Sequence, residues 1–225
     1  MNEVKPVEPL SNETWHGHKI FIVKNFIDPQ DAELLIQEMR NPSEQNEYPS
    51  YYKDRYGGTS LPYNKKVMDI MIKYGHKSNE MHKKINGFVN DIYVFKGFGS
   101  WWTTGTKGDL HIDAQGPEPW IEWSTIMYLN GDENPGEELE TREDYKFTGG
   151  QIYFPNQNFV YSPRRYSAVF FQSAGTEYIH GITKVKSGNR YTALYMHTSL
   201  PDHADPDFHP GPLQWKARNY PLNYV

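Results

Sequence analysis

The chain has 225 residues, 15% of them aromatic and none of them cysteine, and its 23 Lys and Arg against 28 Asp and Glu give a net charge of −5. This length fits one domain with a substantial core, and the lack of cysteine excludes disulfides, thiolate metal sites and cysteine nucleophiles. The acidic balance argues against a broad basic surface for nucleic acid.

The first 90 residues are predicted to form an arm and a helical support region. Residues 1–17 are polar and form a loose N-terminal arm without the pattern of a signal peptide. A β-prone run over residues 19–26 precedes a helix that has Asp28 at its N-cap and Pro29 in its first turn. A tyrosine-rich loop at 48–63 and a second helical region complete the support region, 18–90. We interpret that loop as a lid.

From residue 91 the pattern changes to short β-prone runs separated by Gly, Pro, Asn and Ser. These runs are residues 91–98, 108–113, 121–130, 149–155, 167–173, 176–185 and 190–198. Many short strands without intervening helices favour a sandwich, barrel or jelly roll over residues 91–199. The acidic stretch 132–145 is predicted to be a solvated loop, and residues 200–225 an irregular tail. We expect a single α+β, mainly β domain over residues 1–225.

His111 and Asp113 flank one isoleucine in the run 108–113. Residues i and i+2 of a strand point to the same face, so both side chains converge on one point. His180 lies in a later strand-like run, and the segment KSGN at 186–189 predicts a turn that leads to Arg190 on the return strand of a hairpin. Two histidines and one carboxylate form the ligand set of non-haem Fe(II) oxygenases, in which three positions stay open for a 2-oxo acid and oxygen.

Arg190 suits the same chemistry. A 2-oxo acid that chelates iron leaves its far carboxylate free, and a guanidinium grips a carboxylate with two hydrogen bonds. Thr192 faces the same way two residues later, and Tyr128 lies on a neighbouring strand, so both are candidate donors to this co-substrate.

Four motifs in this order resemble the prolyl 4-hydroxylase-like branch of the Fe(II)/2-oxoglutarate oxygenases. They are His111-Ile-Asp113, Tyr128-Leu-Asn130, Gly149-Gly150 through Phe154-Pro155, and His180-Gly181 through Arg190-Tyr191. The resemblance covers about residues 91–199. It implies a double-stranded β-helix (jelly-roll) core with the N-terminal helices packed against it.

The resemblance also implies the site and the reaction. His111, Asp113 and His180 would be the iron ligands, and Arg190 the anchor of 2-oxoglutarate. The enzyme would be a dioxygenase that consumes 2-oxoglutarate and O2, releases succinate and CO2, and hydroxylates a C–H bond. Ascorbate would be an optional reductant that keeps the iron ferrous. Peptidyl-proline, as in a procollagen-proline-type hydroxylase, is the first substrate to consider.

Three positions depart from the family pattern. The animal collagen-modifying members have lysine at the position of Arg190, and many members have glutamate at the position of Gln151. Many also have a tyrosine near the co-substrate about ten residues before the first ligand, where this chain has Trp101 and Trp102. We interpret these two tryptophans as packing or substrate-wall residues, and His197 as structural.

Other functions stay open. The same chemistry on a free amino acid or another small molecule is the nearest alternative. Repair oxygenases of alkylated nucleic acid typically carry a second arginine where this chain has Met196. A zinc hydrolase would fit the two histidines and the aspartate but would leave Arg190 without a purpose. A non-catalytic jelly-roll binding module would not need a complete ligand set.

We expect a peptide, protein or small-molecule partner and a cytoplasmic protein that contacts neither nucleic acid nor membrane.

Overall fold

The computed structural model describes residues 13–15, 20–41, 65–87, 90–114, 118–131 and 146–209. The predicted lid 48–63, the acidic loop 132–145, residues 1–12 and 16–17 of the predicted arm 1–17, and the tail beyond residue 209 lie outside these ranges. Residues 13–15 of that arm form a strand paired with residues 21–23, so this part is not a loose segment. Within the described ranges, no helix is long and apolar enough to cross a membrane.

The described residues form two helices and eleven strands. The helices are α1 (Pro29–Arg40) and α2 (Lys65–Asn86). The first six strands are β1 (Glu13–Trp15), β2 (Ile20–Val23), β3 (Tyr93–Thr103), β4 (Gly108–His111), β5 (Trp123–Tyr128) and β6 (Phe147–Gly149). The last five are β7 (Ile152–Phe154), β8 (Phe159–Tyr161), β9 (Ala168–Gln172), β10 (His180–Ile182) and β11 (Val185–Thr198).

The strands form two antiparallel sheets. The major sheet has the order β1-β2-β9-β5-β11-β3, and β6 pairs with the first part of β11. The minor sheet has the order β4-β10-β7-β8. Except for β1–β2 and β7–β8, neighbours in each sheet are distant along the chain, as in a jelly roll, so the predicted mainly β jelly-roll core is confirmed.

The two faces of the major sheet contact different partners. On β11, Tyr191, Ala193 and Tyr195 alternate onto the face that packs against α1 and α2. That core also takes the apolar stripe of α1, where Ala32, Leu35, Ile36 and Met39 are all buried as their helical spacing predicts. The helices therefore cover one face of the sheet and leave the other for the minor sheet.

The inner core lies between the two sheets. It joins Ile126, Val169 and Phe171 of the major sheet to Ile152 and Phe154 of the minor sheet. At the open end of this sandwich the inward-facing side chains change from apolar to polar, and the candidate site lies there.

The hairpin predicted between His180 and Arg190 is wrong. Residues 186–189 lie inside the 14-residue strand β11, and β10 pairs with β4 and β7 rather than with β11. Gly188 has a φ of 76° and lies near an irregular step in the β11–β6 register, so the glycine bends the strand without reversing it. His180 and Arg190 thus belong to different sheets that face each other.

The predicted strand at 149–155 is divided into two. Gly149 and Gly150 have φ values of 79° and 63°, a region that favours glycine, and they separate β6 from β7. Gly150 also lies against Arg190, since a Cβ at this position would be 2.8 Å from Arg190 Cδ. This bend therefore makes room for the arginine side chain.

The described part of the tail, residues 200–209, wraps onto the core. Phe208 is buried among α2 and β3, and a side chain at Gly97 would overlap its ring. Val94 N donates a hydrogen bond to His209 Nε2 over 2.9 Å, which ties the segment to β3.

Candidate active site

A cavity of about 770 Å³ opens between the two sheets. Its floor is the inner face of β3 and β11, where every second residue points inward. These residues are Phe98, Ser100 and Trp102 of β3, with Arg190, Thr192, Leu194 and Met196 of β11. His111, Asp113 and His180 form part of the opposite wall.

The three predicted metal ligands converge in this cavity. One donor atom from each of His111, Asp113 and His180 lies within 4.8 Å of the other two. Asp113 Oδ1 is 3.4 Å from His111 Nε2 and 3.8 Å from His180 Nε2. Donor atoms that are each ~2.1 Å from one metal ion lie roughly 3–4 Å apart, so these spacings fit a shared ion. No other such cluster of His, Asp or Glu is found within the described ranges.

Both imidazoles are oriented by backbone carbonyls. His111 Nδ1 lies 2.7 Å from Asp109 O, and His180 Nδ1 lies 3.1 Å from Tyr178 O. A carbonyl only accepts, so each Nδ1 carries the proton and each Nε2 keeps its lone pair toward Asp113. The pairing of His111 with His180 across β4 and β10 holds the two rings together.

Asp113 is oriented by two serine hydroxyls. Ser124 on β5 donates to Asp113 Oδ2 over 2.5 Å, and Ser173, just beyond β9, donates to Ser124 Oγ and lies 3.4 Å from the same carboxylate oxygen. The hydroxyls of Ser124 and Ser173 are 2.5 Å apart. Because these contacts occupy Oδ2, Oδ1 is left to face the histidines, as a monodentate metal ligand requires.

The protonation states suit metal binding. Burial would raise the pKa of the Asp113 carboxyl, but the neighbouring imidazoles of His180 and His111 and the Ser124 hydrogen bond hold it well below its usual range. Burial lowers the pKa of His180. Burial would also lower the pKa of His111, but the hydrogen bond and the charge of Asp113 outweigh the effect of burial and raise that pKa. At neutral pH the cluster therefore offers an ionised carboxylate and a neutral His180, the forms that bind a metal ion.

Arg190 lies in a polar pocket at one end of the cavity, which we call the arginine pocket and define as Trp102, Tyr128, Arg190 and Thr192. The guanidinium carbon is 5.2 Å from the ring centroids of both Trp102 and Tyr128. The Asn130 side chain makes hydrogen bonds to β11 on either side of Arg190. Its Nδ2 donates to Asn189 O over 2.7 Å, and its Oδ1 accepts from Tyr191 N over 2.9 Å. The arginine is 2% exposed.

Five buried polar atoms of the arginine pocket lack a well-formed hydrogen bond to any described residue. Arg190 Nε and Nη2, Tyr128 Oη, Thr192 Oγ1 and Trp102 Nε1 are all buried without a hydrogen bond. Burial lowers the pKa of Arg190 and raises the pKa of Tyr128 to about 12, so the tyrosine stays a neutral donor and the arginine, always charged in proteins, stays cationic. A buried cation among unpaired donors is a site for a carboxylate.

The structure brings together most of the residues that the sequence singled out. His111, Asp113, His180, Arg190 and Thr192 all line one cavity. Tyr128 is fully buried against the guanidinium rather than among the lining residues.

The two tryptophans point to opposite faces of β3. Trp102 faces the cavity, whereas Trp101 stacks on Tyr191 on the helix side. Ser124 and Ser173 were missed, because a buried serine within an apolar strand carries no spacing signal of its own. His197 is buried and bound to Asn79 and Thr125, which agrees with its structural interpretation.

No protein-family model and no curated protein sequence matches this chain. Solved structures do match its fold. A collagen prolyl hydroxylase of Paramecium bursaria Chlorella virus-1, in a complex with 2-oxoglutarate, has a TM-score of 0.58 and 16% identity over 82% of this chain and 97% of its own. A prolyl-4-hydroxylase of Pseudomonas putida has a TM-score of 0.56 and 17% identity over 81% and 93%.

A third similar structure is a prolyl hydroxylase of Trichoplax adhaerens in complex with a peptide fragment of the hypoxia-inducible factor oxygen degradation domain. It has a TM-score of 0.52 and 15% identity over 80% of this chain and 84% of its own. These identities are too low to carry a substrate across. The chain has the jelly-roll fold of the 2-oxoglutarate–Fe(II) oxygenases, with a His-Asp-His cluster that could hold a metal ion in its cavity.

Proposed function

We propose that the protein is an Fe(II)- and 2-oxoglutarate-dependent dioxygenase. His111, Asp113 and His180 hold the iron, and Arg190 binds the far carboxylate of 2-oxoglutarate with help from Thr192 and Tyr128. When bound there, iron and co-substrate supply the chemistry that splits O2, placing one oxygen atom in succinate and the other in the hydroxyl group of the product, with loss of CO2.

One observation carries this proposal: the metal-ligand cluster shares one cavity with the buried Arg190, which has no acidic partner among the described residues. A zinc hydrolase would account for the three ligands but not for a guanidinium that is buried without an acidic partner among the described residues. A non-catalytic binding module would account for neither. A ligand that offers a metal-chelating end and a separate carboxylate satisfies both halves of the cavity, and 2-oxoglutarate is such a ligand.

The protein's own groups prepare the cavity for this ligand. The carbonyls of Asp109 and Tyr178 keep both imidazoles in the tautomer that leaves Nε2 free. Ser124 directs the Asp113 carboxylate. The inner core closes the cavity on the side of β7 and β9, which excludes bulk water from the arginine pocket and strengthens its electrostatic grip on an anion.

The substrate we propose is a proline within an extended peptide. Away from the arginine pocket the cavity lining includes the apolar side chains of Phe98, Leu110, Leu194 and Met196, beside the charged Lys107, Asp109 and Glu118. Leu110 is half exposed at the mouth. Polyproline segments are stiff and pre-ordered, so their binding to an apolar groove costs little conformational entropy. The similar structures include a collagen prolyl hydroxylase and a prolyl hydroxylase with a bound peptide. A free amino acid is the second candidate, because the same cavity could enclose it.

Substrate-dependent turnover tests the proposal. The protein is incubated with Fe(II), 2-oxoglutarate and ascorbate and with either proline-rich peptides, free amino acids or alkylated nucleotides. We expect succinate release coupled to a mass gain of one oxygen atom on a peptide. Coupled turnover on amino acids or nucleotides alone would reject the peptide and keep the dioxygenase. Absence of 2-oxoglutarate binding to the metal-loaded protein would reject the dioxygenase itself.

A further inference from the structure

Trp102 carries a buried hydrogen-bond donor that the fold leaves unused. It lies opposite Arg190 in the β3–β11 register, is 8% exposed and lines the cavity. Its Nε1 has no hydrogen-bond partner among the described residues. The indole N–H can only donate, and leaving such a group unpaired in a protein interior costs about 1–3 kcal/mol.

The neighbouring Trp101 shows the usual outcome. Its side chain points to the opposite face of β3, where its ring stacks on Tyr191. Its Nε1 donates to Asn189 Oδ1 over 2.9 Å. The indole N–H of Trp101 on the helix side thus has a hydrogen-bond partner, whereas the indole N–H of Trp102 in the cavity has none among the described residues.

Packing holds the Trp102 ring in place. The far edge of its indole lies against Gly108 of β4, where a Cβ would be 3.0 Å from Trp102 Cη2, and Ile182 of β10 fills the same corner. These strands also carry His111 and His180. The ring is therefore clamped between the candidate metal site and Arg190, so we expect its N–H to have little freedom to turn toward another acceptor.

We propose that Trp102 Nε1–H donates a hydrogen bond to the ligand carboxylate that Arg190 binds. This inference rests on the function proposed above and adds a specificity residue to it. A carboxylate offers about four acceptor sites and can take donors from Arg190 and Trp102 together. Trp102 then favours 2-oxo acids with a second carboxylate over those without one, because only the former remove the unpaired donor.

A matched pair of variants tests this role, with Mn(II) in place of iron and calorimetry as the readout. Trp102→Phe keeps an aromatic ring beside Arg190 and removes the N–H. We expect it to weaken 2-oxoglutarate binding tenfold or more, the effect of losing a hydrogen bond to a charged group, and to leave the weaker binding of pyruvate unchanged. Trp101→Phe should bind 2-oxoglutarate as the wild type does.

Indole N–H resonances of ¹⁵N-labelled wild-type protein give a second test that needs no variant to fold. The indole signal assigned to Trp102 should shift on addition of 2-oxoglutarate and not of pyruvate. The role of Trp102 alone is overturned if no indole signal shifts. It is also overturned if the wild type and Trp102→Phe bind 2-oxoglutarate equally well while Arg190→Ala binds it weakly. Failure of the wild type to bind 2-oxoglutarate overturns both this inference and the proposed function.

Discussion

At the residue scale, the orientation of Asp113 depends on hydroxyl groups from strands distant along the chain. Ser124 donates to Asp113 Oδ2, Ser173 donates to Ser124 Oγ, and both serines are buried. The spacing of His111 and Asp113 predicted a shared direction, because residues i and i+2 of a strand share a face. It could not reveal the two serines, since their contacts arise only when β5 and the end of β9 come together.

We predict that Ser124→Ala lowers metal affinity by about 10–100-fold, the usual effect of losing a group that orients a ligand. The Asp113 carboxylate would then be free to rotate away from the position in which Oδ1 faces both imidazoles. Titration with Mn(II) measures the change. Ser78→Ala is a matched control, because Ser78 is a buried serine of α2 that donates to Tyr74 O instead. Wild-type affinity in Ser124→Ala would show that the carboxylate needs no such support.

Arg190 gives the second prediction at this scale. Arg190→Ala should weaken 2-oxoglutarate binding by about 1.5–3 kcal/mol while the metal still binds, because the guanidinium contacts the co-substrate and not the metal. Arg190→Lys should restore part of the loss, since lysine returns the charge without the planar fork. The readout is the apparent affinity for 2-oxoglutarate in a succinate assay.

The control for this prediction is Arg165→Ala, which removes a guanidinium stacked on Tyr166 away from the cavity lining. If Arg190→Ala and Arg165→Ala have the same affinity for 2-oxoglutarate as the wild type, Arg190 does not bind the co-substrate.

At the scale of elements, helix α2 is joined to the major sheet by a buried polar network. His82 on α2 contacts Thr125 Oγ1 over 3.0 Å, and the same oxygen contacts His197 on β11, also over 3.0 Å. His197 Nδ1 in turn contacts Asn79 Oδ1 over 2.8 Å. Burial lowers the pKa of His82 to about 3 and that of His197 well below its usual range, so both rings are neutral at physiological pH.

This network predicts how stability depends on pH. In the unfolded chain both histidines titrate near pH 6.5, whereas in the folded protein they resist protonation. The unfolded state therefore binds more protons as the pH falls, and stability present above pH ~6.5 is lost toward pH ~3. From pH 7 to pH 5 we expect the free energy of unfolding to drop by about 2–4 kcal/mol, as measured by urea denaturation.

Two variants separate this effect from the general effect of acid. His82→Gln should remove about half of the loss that His82 and His197 together cause. His203→Gln is the control outside this network, because His203 stacks on Trp120 and not on the residues that join α2 to β11. Equal stability of the wild type at pH 7 and pH 5 would mean that the two buried histidines do not titrate as described.

The strands themselves differ in how well the sequence predicts them. Alternation on β11 identified Arg190 and Thr192 as sharing a face, and the structure agrees. The turn predicted at 186–189 failed because Gly188 and Asn189 favour turns locally, whereas pairing of β11 with β6 and then with β3 keeps the chain extended. Long-range pairing overrides local turn preference here, and no pattern within these residues reveals it.

At the scale of the whole molecule, two sheets and two helices place a polar cavity at the open end of an apolar sandwich. The series of short β-prone runs predicted a mainly β fold, but it did not separate a sandwich or barrel from a jelly roll. The order of the four motifs made that choice through resemblance to a family. The strand orders β1-β2-β9-β5-β11-β3 and β4-β10-β7-β8 explain how His111, His180 and Arg190 meet.

Anaerobic binding of Fe(II) tests the central claim most directly. We expect one iron per chain in the wild type and loss of that binding in Asp113→Ala, because two imidazoles alone remain. Asp109→Ala is the matched control, since this exposed carboxylate lies two residues before His111 and pairs with Lys107 instead of the cluster. Full iron binding by Asp113→Ala, or equal losses in both variants, would contradict a metal site built from His111, Asp113 and His180.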